Sequence, residues 1–137
     1  MLEPLGGHGI VPRISDAISF ARQQQVLLLR HEPSGTPVDL TLAWLPFEGD
    51  ALARATHEPF AGLSIRVVQP EDLIVLKAVA WREQDRADLE RLLLRWGREV
   101  DLDRVRDLVQ QFAEVLEEPE RVAKFEAIVS RALGPGD

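Results

Sequence analysis

The chain has no cysteine, so disulfides and thiolate-bound metals are excluded, and a metal would need oxygen ligands or histidines. Its three histidines, His8, His31 and His57, are too far apart for a metal-binding spacing and read as surface residues. No apolar run approaches the ~20 residues of a membrane-spanning helix, and the opening residues do not form a signal peptide. The expected location is therefore cytoplasmic, with no membrane partner. There is no Gly-x-Gly-x-x-Gly, phosphate-loop or nucleophile-elbow motif. Lysine is scarce: only Lys77 and Lys124 occur, and the other basic residues are arginines. Basic residues number 16 against 23 acidic ones, a net charge of −7. That balance excludes a general nucleic-acid coat but leaves room for a local basic groove.

The 137 residues suffice for one domain with one real core. Little periodicity marks Met1 to Pro12. Ser15 reads as the N-cap of a short helix through Gln24. Val26 to His31 reads as a strand, Pro33-Ser34-Gly35-Thr36 as a turn, and Pro37 to Trp44 as the hairpin partner. A helix follows over Pro46 to Ala55, then two short strands from Phe60 to Val68 about Ala61-Gly62. Helices then start at Pro70, near Gln84, after Asp101 and after Pro119, the second ending at Gly97 and the last near Leu133. Strands first and helices after predict an α+β fold: a small mixed or antiparallel sheet with helices on one face, then a helical region. The expected organisation is a core over residues 1–97, a helical pair over 98–133 packed on it, and a disordered tail over 134–137.

Two acidic or basic positions stand out. In the strand Pro37 to Trp44, Val38, Leu40, Leu42 and Trp44 alternate with Asp39, Thr41 and Ala43, so the first set is the core face. Asp39 then points off the core, either into a cleft or across the hairpin to Arg30 as a surface ion pair. In the helix from Pro70, opened by Glu71 and Asp72, the residues Leu73, Ile74, Lys77, Ala80 and Trp81 share one face. Lys77 lies in the middle of it. A desolvated ammonium needs an anion beside it, unless its stem packs while its head reaches water.

Pro37-Val38-Asp39-Leu40, Trp44-Leu45-Pro46-Phe47-Glu48 and the run from Pro70 through Lys77 to Arg82-Glu83-Gln84-Asp85 together resemble the minimal nucleotidyltransferases. These belong to the DNA-polymerase-β-like superfamily and have relatives among the abortive-infection toxin nucleotidyltransferases. The resemblance implies magnesium-dependent transfer of a nucleoside monophosphate from a nucleoside triphosphate to an RNA or protein hydroxyl. It casts Asp39 as the third catalytic carboxylate, a ligand of the catalytic metal that helps deprotonate the acceptor. Lys77 becomes the phosphate-neutralising lysine, and Arg82 and Asp85 shape the same pocket.

The front of the family pattern is missing. No Gly-Ser turn and Asp-x-Asp strand precede Asp39; Gly6-Gly7 leads only to Pro12-Arg13-Ile14-Ser15-Asp16. Met1 corresponds to a point just beyond the family's first catalytic strand. Asp101-Leu102-Asp103 heads a helix, where aspartates act as caps. One aspartate cannot hold two magnesium ions. The expectation is a truncated or degenerate nucleotidyltransferase, weak or inert alone. The alternatives are a non-catalytic binding or assembly module, a subunit of a toxin–antitoxin-like complex, or an active enzyme whose partner chain supplies the metal carboxylates. A homodimer or partner subunit is expected to pair at the sheet edge nearest Val26 to Leu29.

Overall fold

The structure, a computed structural model, describes residues 3–43 and 45–135; Trp44 and the last two positions of the expected tail lie outside them. The chain is α+β and forms two compact units, the first running to Asp50 and the second starting at Ala51.

The first unit contains α1 (Glu3–Gly6), β1 (Ile10–Pro12), α2 (Ala17–Gln24), β2 (Val26–His31) and β3 (Thr36–Thr41). The strands form an antiparallel sheet in the order β1-β2-β3. Ala17 and Ala21, one turn apart on α2, are buried together with Leu27 and Leu29 of β2. Leu5, Ile10, Ile14, Val38 and Leu42 pack around them. Small residues on the helix let it lie close to the sheet, and each buried leucine contributes about 1.5–3 kcal/mol. Asp16, not Ser15, occupies the N-cap of α2, without a side-chain cap bond.

Three expectations are corrected here. Met1 to Pro12 contains a strand, which three residues beside Gly9 and Pro12 are too few to reveal by alternation. That strand makes β2 central: Pro12 pairs with Leu29, and the Arg13 N–H donates to Leu28 O at 3.0 Å. Over Leu28 and Leu29 the edge proposed for dimerisation is therefore occupied. The register also differs, because the loop between His31 and Thr36 sets Arg30 against Pro37 and Asp39 against Leu28. Finally, Leu40 is 44% exposed although it shares a face with Val38 and Leu42.

The second unit begins within α3 (Pro46–Arg54) and continues through β4 (Thr56–Phe60) and β5 (Leu63–Val67). These strands form a hairpin that begins earlier than the expected Phe60 and turns at Ala61 and Gly62, with φ of 48° and 77°. Positive φ at both turn residues matches the right-handed twist of paired strands. Four helices follow: α4 (Pro70–Ala80), α5 (Glu83–Trp96), α6 (Leu102–Val115) and α7 (Glu120–Leu133). Ile74, Val75, Leu89, Leu93, Val105, Val109 and Phe125 form their buried core. Asp101 caps α6 by accepting the Arg104 N–H at 3.0 Å, as its position predicted. Among the described residues no helix is long and apolar enough to cross a membrane.

Candidate functional site

The corner between α4 and α5 is built by backbone geometry. Trp81 ends α4 in the left-handed conformation, φ 54°, its N–H donating to Lys77 O at 3.0 Å. Arg82 is extended, and the chain re-enters a helix at once. Asp85, third in α5, reaches back to accept the Arg82 N–H at 3.1 Å. A carboxylate here satisfies a donor that the helix cannot and sits favourably at the positive end of the helix dipole.

The same carboxylate holds two cations. Lys77 Nζ donates to Asp85 Oδ1 at 2.9 Å and to Asp88 Oδ2 at 3.0 Å. Arg82 Nε donates to Asp85 Oδ2 at 2.7 Å. The Asp85 side chain is 1% exposed, Lys77 23% and Arg82 75%. Burial acts to raise the Asp85 pKa, but hydrogen bonds from Arg82 and Lys77, with the Lys77 charge, hold it below the ordinary value. Burial likewise disfavours charge on Lys77, yet Asp85 and Asp88 outweigh it and hold its pKa above normal. Lys77 therefore stays an ammonium and Asp85 a carboxylate at neutral pH. The sequence expectation of an anion beside Lys77 is met by side chains of the next helix.

The structure thus brings Lys77, Arg82 and Asp85 together. It adds Asp88, which sequence reasoning missed although it lies one turn beyond Asp85 on α5. It also adds Arg121 of α7, whose Nη1 donates to the carbonyls of Ala78 and Val79 at 2.9 and 2.7 Å. The Arg121 guanidinium lies 5.0 Å from the Trp81 ring centroid. No local signal marks the reach of Arg121 to α4, since those carbonyls are over forty residues away in the chain, although Glu118 pairs with it locally.

The buried face of α4 differs from the one expected. Asp72, Ile74, Val75 and Ala78 are buried, while Ala80 is exposed. The helix is apolar on most sides, so spacing alone does not decide which side docks. Asp72 is held by Arg54 through two bonds, at 2.9 and 2.8 Å, and by Arg104 at 3.3 Å. Arg54 and Asp72 border a cleft of about 760 Å³ that also includes Gln69, Val100 and Trp96. Trp96 is only partly buried there.

Asp39 belongs to the first unit. Its carboxylate accepts a bond from Arg13 and stays 57% exposed. Leu28 lies between them in the sheet, so Arg13 reaches across β2 to a strand it does not pair with. The off-core reading of Asp39 holds; its partner is Arg13, not Arg30.

A two-magnesium centre needs several carboxylates converging on one point. Among the described residues no three His, Cys, Asp or Glu side chains converge in that way. Asp39 faces a guanidinium, and Asp85 and Asp88 face an ammonium. These residues do not fit such a centre.

Residues 46–124 match a family described as nucleotidyl transferase of unknown function (DUF2204). No curated protein and no solved structure matches the chain. The matched segment contains the whole Lys77, Arg82, Asp85 and Asp88 cluster.

Proposed function

Since the chain belongs to the nucleotidyl transferase family (DUF2204) through residues 46–124, we propose that it binds a nucleoside triphosphate at the α4–α5 corner. The observation that carries this reading is the Lys77 ammonium and the largely exposed Arg82 joined through one buried carboxylate. Arg82 contacts phosphate, Asp85 positions it, and Lys77, bonded to Asp85 and Asp88, holds those carboxylates in place. By the resemblance Asp39, in the first unit, is the candidate carboxylate for the proton of an RNA or protein hydroxyl, and no site joining it to the corner is assigned. With the magnesium-binding set incomplete, transfer by this chain alone stays at background. No step through a bound metal is assigned.

Calorimetric titration with ATP tests the binding, comparing the chain with Arg82→Ala. Arg82 is largely exposed, so this variant is expected to keep its helical circular dichroism and to bind at least tenfold more weakly. Equal binding in the variant removes the corner as the nucleotide site. Label transfer from α-labelled triphosphates to RNA or protein, in magnesium, is expected at background. Transfer that disappears in Asp39→Ala overturns the inert reading and points to carboxylates supplied in trans.

A second reading, an assembly module, is favoured by the β4–β5 hairpin. Phe60, Leu63, Ile65 and Val67 share one face and are 68%, 66%, 39% and 37% exposed. An isolated two-stranded hairpin is marginal in water, and a contiguous apolar face favours association. A homodimer, or a subunit of a toxin–antitoxin-like complex, would cover it. Light scattering of the chain against Phe60→Ser with Leu63→Ser separates a self-associating chain from a monomer.

A further inference from the structure

In a chain of net charge −7, one groove is lined by three cations and a single carboxylate. Trp81 and Glu83 form one wall with Arg86 of α5; Lys124, Ile128 and Arg131 of α7 form the other. The groove measures about 570 Å³. Arg131 pairs with Glu90 at 3.0 Å and Lys124 with Glu120 at 3.7 Å, both on exposed surface. Such pairs are worth little and exchange readily for another anion. Arg86 makes no ion pair among the described residues. An indole and an aliphatic floor beside separated cations suit a ligand that alternates flat apolar rings with negative charge.

We infer that this groove binds single-stranded nucleic acid, with a base against Trp81 and successive phosphates at Arg86, Lys124 and Arg131. Base stacking on an aromatic ring contributes about 1–3 kcal/mol per base and tolerates any sequence. Duplex bases are already stacked and cannot reach the indole. The cations lie on two helices, so the groove can follow a strand rather than grip one phosphate. The groove adjoins the Lys77–Arg82 corner at Trp81, but its cations lie on α5 and α7 and strand binding does not depend on nucleotidyl transfer.

The probe is a fluorescein-labelled oligoadenylate of about twelve nucleotides, read by anisotropy from 50 to 300 mM salt. Three phosphate contacts on a single strand give a slope of log Kobs against log[salt] of about −2. Arg86→Glu with Lys124→Glu is expected to weaken binding at least tenfold and flatten that slope. Arg22→Glu, a charge reversal on α2, is expected to leave it unchanged. Trp81→Leu with an unchanged melting curve is expected to weaken the strand about tenfold. Because Trp81 caps α4, Arg86→Glu alone serves as the decisive variant should Trp81→Leu not fold. Affinity equal in Arg86→Glu and the parent overturns the assignment. Equal affinity for a duplex of the same length also overturns it, by removing the stacked base.

Discussion

Asp85 accepts the backbone N–H of Arg82 with the carboxylate oxygen opposite the one that holds Lys77, so one side chain both starts a helix and neutralises a half-buried lysine. Loss of either partner therefore has unequal cost. Asp85→Ala leaves Lys77 with Asp88 alone and orphans the Arg82 N–H, and is expected to lower stability by about 2–3 kcal/mol. Lys77→Ala leaves Asp85 still bonded to Arg82 and is expected to cost about 1–2 kcal/mol. Urea unfolding of both variants measures the difference, and equal losses would refute the double role of Asp85.

The pH dependence follows from the same pair. Asp85 has a folded pKa below its ordinary 3.8, so its stabilisation is present above that value. It is lost as pH falls through the folded pKa. Lys77 has a folded pKa above 10.5, so its contribution is complete below 10.5 and disappears as pH rises through the folded value. Urea midpoints measured between pH 2 and 5 are expected to fall on acidification, and Asp85→Asn is expected to flatten the change.

Asp72 is a buried anion with two arginine partners. Asp72→Asn keeps the shape but removes the charge, leaving Arg54 and Arg104 facing a neutral amide. A loss of about 3 kcal/mol is expected, moderated by the partial exposure of both arginines. A double-mutant cycle of Asp72→Asn with Arg54→Met measures the coupling; an additive result would show that the pair is not linked.

In the first unit Gly9 has φ of 72°, and a Cβ there would lie 3.0 Å from Pro33 Cδ. Gly9→Ala is expected to cost about 1–2 kcal/mol by combining left-handed strain with crowding. Arg13→Ala, by contrast, breaks a surface pair and is expected to cost under about 1 kcal/mol. Thermal melts of the two variants rank these effects.

Much of the helical half was legible because it is locally encoded. Pro70, Glu71 and Asp72 announce α4, and the need of Lys77 for an anion is a matter of charge alone. Asp85 could be named from the resemblance, but not its two-sided bonding, which depends on the left-handed turn at Trp81. Pairings between distant segments were not legible. Arg13 meets Asp39 only because β1 folds onto β2, and a three-residue strand leaves no alternation to read. Arg121 reaches α4 through packing that no window of sequence contains.

That last contact ties the corner to the end of the chain. Two carbonyls of α4 that would otherwise face the gap before α5 are closed by a guanidinium more than forty positions later, stacked beside Trp81. The bend can thus be sketched by its own residues but acquires its final hydrogen bonds only when the last helix arrives. The amides around Trp81 are therefore expected to exchange with α7 rather than with α4 alone, which hydrogen exchange measures.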